Sequence, residues 1–241
     1  MTSLAPSRFV FLAALTVIAL GFGPTVQGQV LHMVPKKGQW VELDGENRSF
    51  EGTTQSVRAR FACVATEKLD EKTAAWIEVE WTRHDQADTR NYPFRMKLLV
   101  PTKLTESDDP RRVKCRTLVK YPEEPALRPA KTDVSEEVIA DIRGRVLGCV
   151  PSKAVLTEVG DEEILIGERK VKTKAKLYRY TQTDSDGDKV EYRFWLAPEI
   201  PFGVAKYAYR LTRADGSGRE CEMTLYKHGD DAEPQWNVPE Q

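Results

Sequence analysis

Histidine is scarce in this chain: His32, His84 and His228 are the only three in 241 residues. So few leave little for a His-based metal or acid–base site. Net charge is nearly absent too, with 36 Lys+Arg against 37 Asp+Glu and a pI near 6.4. That balance excludes a globally basic nucleic-acid binder and an acidic solvating tail. H-E-x-x-H, G-x-S-x-G and a phosphate-cradling glycine loop are all missing. Cys63, Cys115, Cys149 and Cys221 stand too far apart for a C-x-x-C redox or zinc pattern. In Asp184-Ser-Asp-Gly-Asp188, an EF-hand glycine at position six would put Gln182 at one and Arg193 at twelve, where calcium needs carboxylates. That segment reads as an acidic turn. No catalytic residue, metal ligand or cofactor is assigned, and the expectation is a protein that is not an enzyme.

Long apolar runs are missing except at the N-terminus. Arg8 precedes Phe9–Gly21, a run that breaks at Gly23-Pro24 and leads to small residues at Val26 and Gly28. This is the layout of a secretory signal peptide over residues 1–28, with Gln29 the first mature residue. The run is shorter than the ~20 residues that span a hydrocarbon core, so the mature form is expected not to cross a membrane. Cleavage leaves 213 residues with 35 basic and 37 acidic ones, a net charge of −2. The expected location is periplasmic or secreted. An even cysteine count in an exported chain favours disulfides, with buried thiols as the alternative.

Period-two alternation dominates the mature chain. Val57–Val64 and Ala74–Trp81 alternate as half-buried antiparallel strands. Matching charges and apolar residues sets Arg58 against Glu80, Arg60 against Glu78, and Phe61 against Ile77. Glu78 and Glu80 between Trp76 and Trp81 suggest a glycosidase pair, but arginine partners would lower their pKa rather than raise it. Further strands are expected at Asn91–Val100 and Val113–Lys120. A proline-rich connector (121–130) follows, then a helix at about 133–147 with Val134, Val138, Ile139, Ile142 and Val146 at helical spacing. Ala154–Thr157 and Glu163–Ile166 read as short strands around Gly160-Asp161. Arg169–Gln182 with Lys189–Leu196, and Val204–Arg213 with Arg219–Lys227, read as hairpins around Asp-Gly turns. Their expected registers set Tyr180 against Arg193 and Leu177 against Leu196 in the first, and Arg210 against Glu222 in the second. The reading is a single β-rich domain over 29–228, with a frayed polar tail at 229–241.

Lys170, Lys172, Lys174 and Lys176 fall on one face of their strand, about 7 Å apart, as a positive stripe. It suits a phosphate, an acidic glycan or a carboxylate-rich partner, or else is a solvated face neutralised by Glu162, Glu163 and Glu168. Tyr178 and Tyr180 continue the same face, with Arg193 and Trp195 expected across from them. The candidate ligand or partner face is therefore Lys172, Lys174, Lys176, Tyr178, Tyr180, Arg193 and Trp195. Cross-strand packing is the plainer use of such aromatics.

Trp195-Leu-Ala-Pro-Glu-Ile-Pro-Phe-Gly-Val-Ala-Lys-Tyr207, preceded by a lysine- and threonine-rich strand and an Asp-Gly hairpin, resembles a stretch of the bacterial lipoprotein-carrier-like superfamily of exported proteins. The resemblance covers residues 155–228 and carries over no functional residue. It implies a half-open barrel of antiparallel strands curled around one or two helices, with a concave apolar face for lipid or acyl chains. The expected fold is thus mainly β with one helix, a strongly curved antiparallel sheet in a half-barrel-like meander. The expected function is non-enzymatic binding of an apolar or amphiphilic, lipid- or lipoprotein-like ligand in the concavity. The alternative is an envelope structural or protein-interaction module that meets a protein partner through the lysine and aromatic face. No nucleic-acid partner is expected.

Overall fold

The computed structural model describes residues 26–27, 35–69, 72–83, 95–101, 116–120, 126–129, 155–183 and 187–236. Twelve strands run through them: β1 (Val26–Gln27), β2 (Trp40–Ser49), β3 (Thr54–Leu69), β4 (Lys72–Arg83), β5 (Arg95–Pro101), β6 (Thr117–Lys120), β7 (Arg128–Pro129), β8 (Val155–Ile166), β9 (Val171–Thr183), β10 (Lys189–Leu196), β11 (Val204–Thr212) and β12 (Gly218–Gly229). All pair antiparallel in one sheet, ordered β1-β8-β9-β10-β11-β12-β2-β3-β4-β5-β6-β7. The chain starts its long strands in the middle, steps outward to β7, re-enters near the opposite edge at β8, and steps back until β12 pairs β2. The edges do not join, so the sheet is open. The expected helix, the expected signal segment through residue 25, Cys115 and Cys149 lie outside the described residues.

The predominantly antiparallel character follows from the alternation, but three registers differ from the expected ones. On β3–β4, Arg60 faces Glu80 and Phe61 faces Val79, two residues from expectation. The two-residue error preserves each side chain's face because strand parity has period two. On β11–β12, Arg210 faces Glu220 rather than Glu222. There the turn decides: Arg213 N–H bonds Ser217 O, and Gly216 takes φ 82°, so three residues lie inside the closing Arg213–Ser217 bond. On β9–β10 the shift is one residue, with Tyr180 facing Tyr192 and Leu177 facing Trp195. A shift of one exchanges the faces of one strand relative to the other.

Two further corrections concern continuity. Gly160-Asp161 does not divide two strands; β8 runs through it with a bulge between Glu158 and Gly160. Residues 229–236 do not fray. Gly229 still pairs Trp40, Ala232 N–H bonds Gly38 O at 2.8 Å, and the Trp40 indole donates to Asp231 at 2.8 Å.

Parity gives the sheet two unlike faces. The inner face carries Val41 and Leu43 of β2, Phe61 of β3, Ile77 and Val79 of β4, Met96 and Leu98 of β5, and Val119 of β6, all buried. Towards β9 it continues through Leu225, Met223, Tyr207 and Phe194. At roughly 1.5–3 kcal/mol for each large side chain removed from water, this face is the main source of stability. The outer face carries Glu42, Asp44, Arg58, Arg60, Glu80 and Glu222 as part-exposed or exposed residues. A second apolar cluster lies there, around Ala62, Trp76, Leu99 and Leu118, under the strap of residues 230–236.

Candidate functional site

Cross-strand registry organises the inner face into rows. One runs Tyr180, Tyr192, Tyr209, Cys221, Asn47 and Gln55 across β9, β10, β11, β12, β2 and β3. The next runs Tyr178, Phe194, Tyr207, Met223, Gly45 and Val57. Tyr180 and Tyr192 stack with ring centroids 4.7 Å apart, while Phe194–Tyr207 and Tyr207–Tyr209 lie at 6.0 and 6.1 Å. Such offset rings gain about 0.5–1.5 kcal/mol per pair beyond area burial. On the other side of β2 the face turns aliphatic, with Phe61 its main ring, 6.2 Å from Trp81 and 6.3 Å from Phe202. A polar margin closes the tyrosine end: Arg219 lies over the Tyr209 ring at 5.7 Å, and Asn47 Oδ1 is buried without a hydrogen bond.

Gly45 allows the rows to continue across the centre. A Cβ there would lie 1.9 Å from the Glu222 carbonyl oxygen, so only glycine lets β12 approach β2 so closely. Cys63 is a buried thiol, the alternative left open by the sequence, and Cys221 is buried as well. Burial pushes the Cys63 thiol up to about 11, which makes it inert.

The seven residues of the expected ligand face do not sit together. Lys172, Lys174 and Lys176 are exposed on β9, in line by alternation with Tyr178 and the buried Tyr180. Arg193 faces Arg179 and Trp195 faces Leu177, so both belong to the opposite face. Trp195 is buried; its indole donates to Glu162 at 2.6 Å, and Lys206 and Arg193 lie over its ring at 4.7 and 5.6 Å. Lys172 pairs Glu163 at 3.4 Å, and Lys176 pairs Glu158 at 3.1 Å. Glu158 also accepts from the Tyr178 hydroxyl at 3.1 Å. These donors, Lys176 first, hold the Glu158 carboxyl below its ordinary range. Burial, then Glu158, raises the Tyr178 phenol.

The β8–β9 hairpin reaches past β10 to the end of β12. Gly167 N–H bonds Leu225 O at 2.7 Å, and Glu168 accepts from the Tyr226 hydroxyl at 2.6 Å and pairs Lys227 at 3.2 Å. Between this tip and the outer face lies an open groove of about 870 Å³. Its charged lining is Asp44, Glu46, Glu168, Glu220 and Glu222 against Arg48, Lys170 and Arg193. A groove so charged suits neither an acyl chain nor an aromatic ligand. Among the described residues no three His, Cys, Asp or Glu side chains gather as a metal site.

Glu78 and Glu80 take their partners from β5 rather than β3. Arg95 donates to Glu80 at 3.0 Å, while Lys97 and Glu78, both nearly fully buried, meet at 2.9 Å. Glu78 also accepts the Gln235 and Trp236 amides at 3.1 and 3.3 Å, and Lys97 donates to the Trp236 carbonyl at 2.7 Å. This cluster was missed in the sequence; its one local signal is Lys97 among Met96, Leu98, Leu99 and Val100, a charge at a position that must be buried.

No family model matches the chain, and no curated protein does. Several solved structures are similar to it. One, from Bacteroides fragilis and designated an exported protein with a YmcC-like fold, is 7% identical, with 83% of this chain and 100% of that one covered and a TM-score of 0.40. An outer membrane lipoprotein-sorting protein domain from Vibrio parahaemolyticus is 7% identical, covering 79% and 84%, at 0.32. A LolA superfamily protein from Nitrosomonas europaea is 9% identical, covering 81% and 87%, at 0.31. No helix among the described residues is long and apolar enough to cross a membrane.

Proposed function

We propose that this is an exported, non-enzymatic protein that seats an apolar or amphiphilic ligand against the inner face of its open sheet. The observation that carries the reading is one apolar face running unbroken from β9 to β6 in a sheet whose edges do not join. These side chains are already buried, so an acyl chain takes its place along the face, at about 0.8 kcal/mol per methylene of its own, only by displacing what covers them. The polar margin of Asn47, Gln55 and Arg219 suits a head group at one end. A lipid- or lipoprotein-like ligand combines both parts. The periplasm or cell exterior is where a chain with the N-terminal layout of residues 1–28 would do this.

Native mass spectrometry and organic extraction of the purified mature protein test the reading, together with titration by a fluorescent long-chain fatty acid. Co-purifying acyl species and saturable probe binding are expected. Neither species nor saturable binding, from a protein with intact β-sheet circular dichroism, overturns it.

A second reading, a protein-interaction module, has its own observation. The β8–β9 tip exposes Leu165 and Val171, each about half accessible, beside Lys170, Lys172 and Lys174. Apolar residues among unburied lysines suit an acidic partner surface. Lys172→Glu with Lys174→Glu separates the two readings: it abolishes cross-links to a partner while leaving fatty-acid binding unchanged.

A further inference from the structure

The strap of residues 230–236 is held in an unusual way. A buried ion pair contributes no more to stability than apolar side chains of equal size, and often less, so Glu78–Lys97 is poorly explained as core. Its remaining polar capacity goes to main chain. Glu78 takes the amides of Gln235 and Trp236, and Lys97 donates to the Trp236 carbonyl. Two side-chain positions complete the hold. Ala232 is buried in the cluster of Ala62, Trp76, Leu99 and Leu118, and the Trp236 ring packs at its rim under Arg95, at 5.2 Å. Main-chain hydrogen bonds together with pockets for side chains on one side of the segment are how extended peptides are recognised. The segment so held follows the last strand, after Gly229 and a single exposed residue, Asp230.

We propose that the Glu78–Lys97 pair on the outer face is a main-chain clamp, filled in its own chain by residues 231–236 and able to take the same segment from a second copy. The clamp grips atoms that every copy of the segment presents in the same order, so a tail from a neighbouring chain satisfies it as well as the chain's own. Exchange of this kind is reciprocal and forms a two-fold pair. The proposal does not depend on a ligand at the inner face.

The test uses full-length protein and a fluorescent peptide of residues 230–241, read by anisotropy. The Ala232→Arg, Trp236→Ala double variant weakens the chain's own strap and leaves the clamp intact. It is expected to bind the peptide at least roughly ten-fold tighter than wild type, because intramolecular competition is lost. A peptide carrying Trp236→Ala is expected not to bind. Wild-type hydrogen exchange gives a second measure that needs no variant: the Gln235 and Trp236 amides should open faster than those of β3–β5. Three results would overturn the proposal: strap amides that exchange only with the whole sheet, a natively folded double variant that ignores the peptide, or a scrambled peptide that binds equally well.

Discussion

Two segments fold back over the outer face, and each is fastened by one glutamate that serves more than one donor. At the β8–β9 tip, Glu168 holds Tyr226 and Lys227 with its side chain about half exposed. Under the strap, Glu78 holds Lys97 and two amides with its side chain 1% exposed. Glu168 has two such partners and Glu78 three, at similar distances, and the larger difference between them is burial. Water replaces Glu168's partners as they leave, whereas nothing replaces those of Glu78. The tip is a latch that opens at little cost, and the strap's fastening opens at a larger one.

Breaking the buried side should give the largest effect. Lys97→Met leaves the Glu78 charge alone in the interior and should cost about 3–5 kcal/mol in urea unfolding. Adding Glu78→Leu should recover most of that loss, because no buried charge remains; failure to recover would mean the pair is integral to the fold. Met223→Ala on the inner face calibrates the scale, with an expected loss of about 2–5 kcal/mol from burial and cavity. Cys63 then reports which fastening guards the core. With its thiol at about 11, roughly one in a thousand is thiolate at pH 8, so labelling should await unfolding. Lys97→Met should speed that labelling and Glu168→Gln should not.

The smallest effect belongs to the tip. Tyr226 first, then Lys227, holds the Glu168 carboxyl below its ordinary range. A carboxylate depressed in the folded state contributes fully above its unfolded pKa, and the contribution fades as pH falls through the lower folded value. Amide shifts of Gly167 and Lys170 should therefore titrate below the ordinary carboxylate range. Glu168→Gln should move Tm by no more than about 2 °C. A larger shift would place the tip with the strap and erase the contrast.

Strand existence was legible wherever alternation ran uninterrupted, as in Lys189–Leu196, whose bounds agree at both ends. β2 was not legible. Val41 and Leu43 begin an alternation that Gly45 breaks, and the glycine is there because β12 lies against it, a fact of the distant chain. Registers failed for a related reason. Charge matching cannot tell Arg60–Glu80 from Arg60–Glu78, since both keep the same faces, and the bulge at Val64 shifts the ladder again. On β9–β10 the one-residue shift separated Tyr180 from Arg193 and so dissolved the expected ligand face. The tail reads as frayed because its residues are polar, yet its order comes from Glu78 and Lys97, which lie more than a hundred residues earlier.

The pairing of β12 with β2 bears on the order in which the molecule can be completed. Among the described strands β2 is the first long one to be synthesised and β12 the last, and Trp40 meets Gly229 across the seam. Apart from β1 on β8, each flank is built of strands that are neighbours in sequence and forms by closing the loops between them. The middle joins residues at the largest separation in the ladder, where loop closure is slowest. A nascent chain therefore holds two half-sheets with raw edges until its final strand arrives. Its window for misassembly, and for any helper that shields those edges, closes only when the centre does.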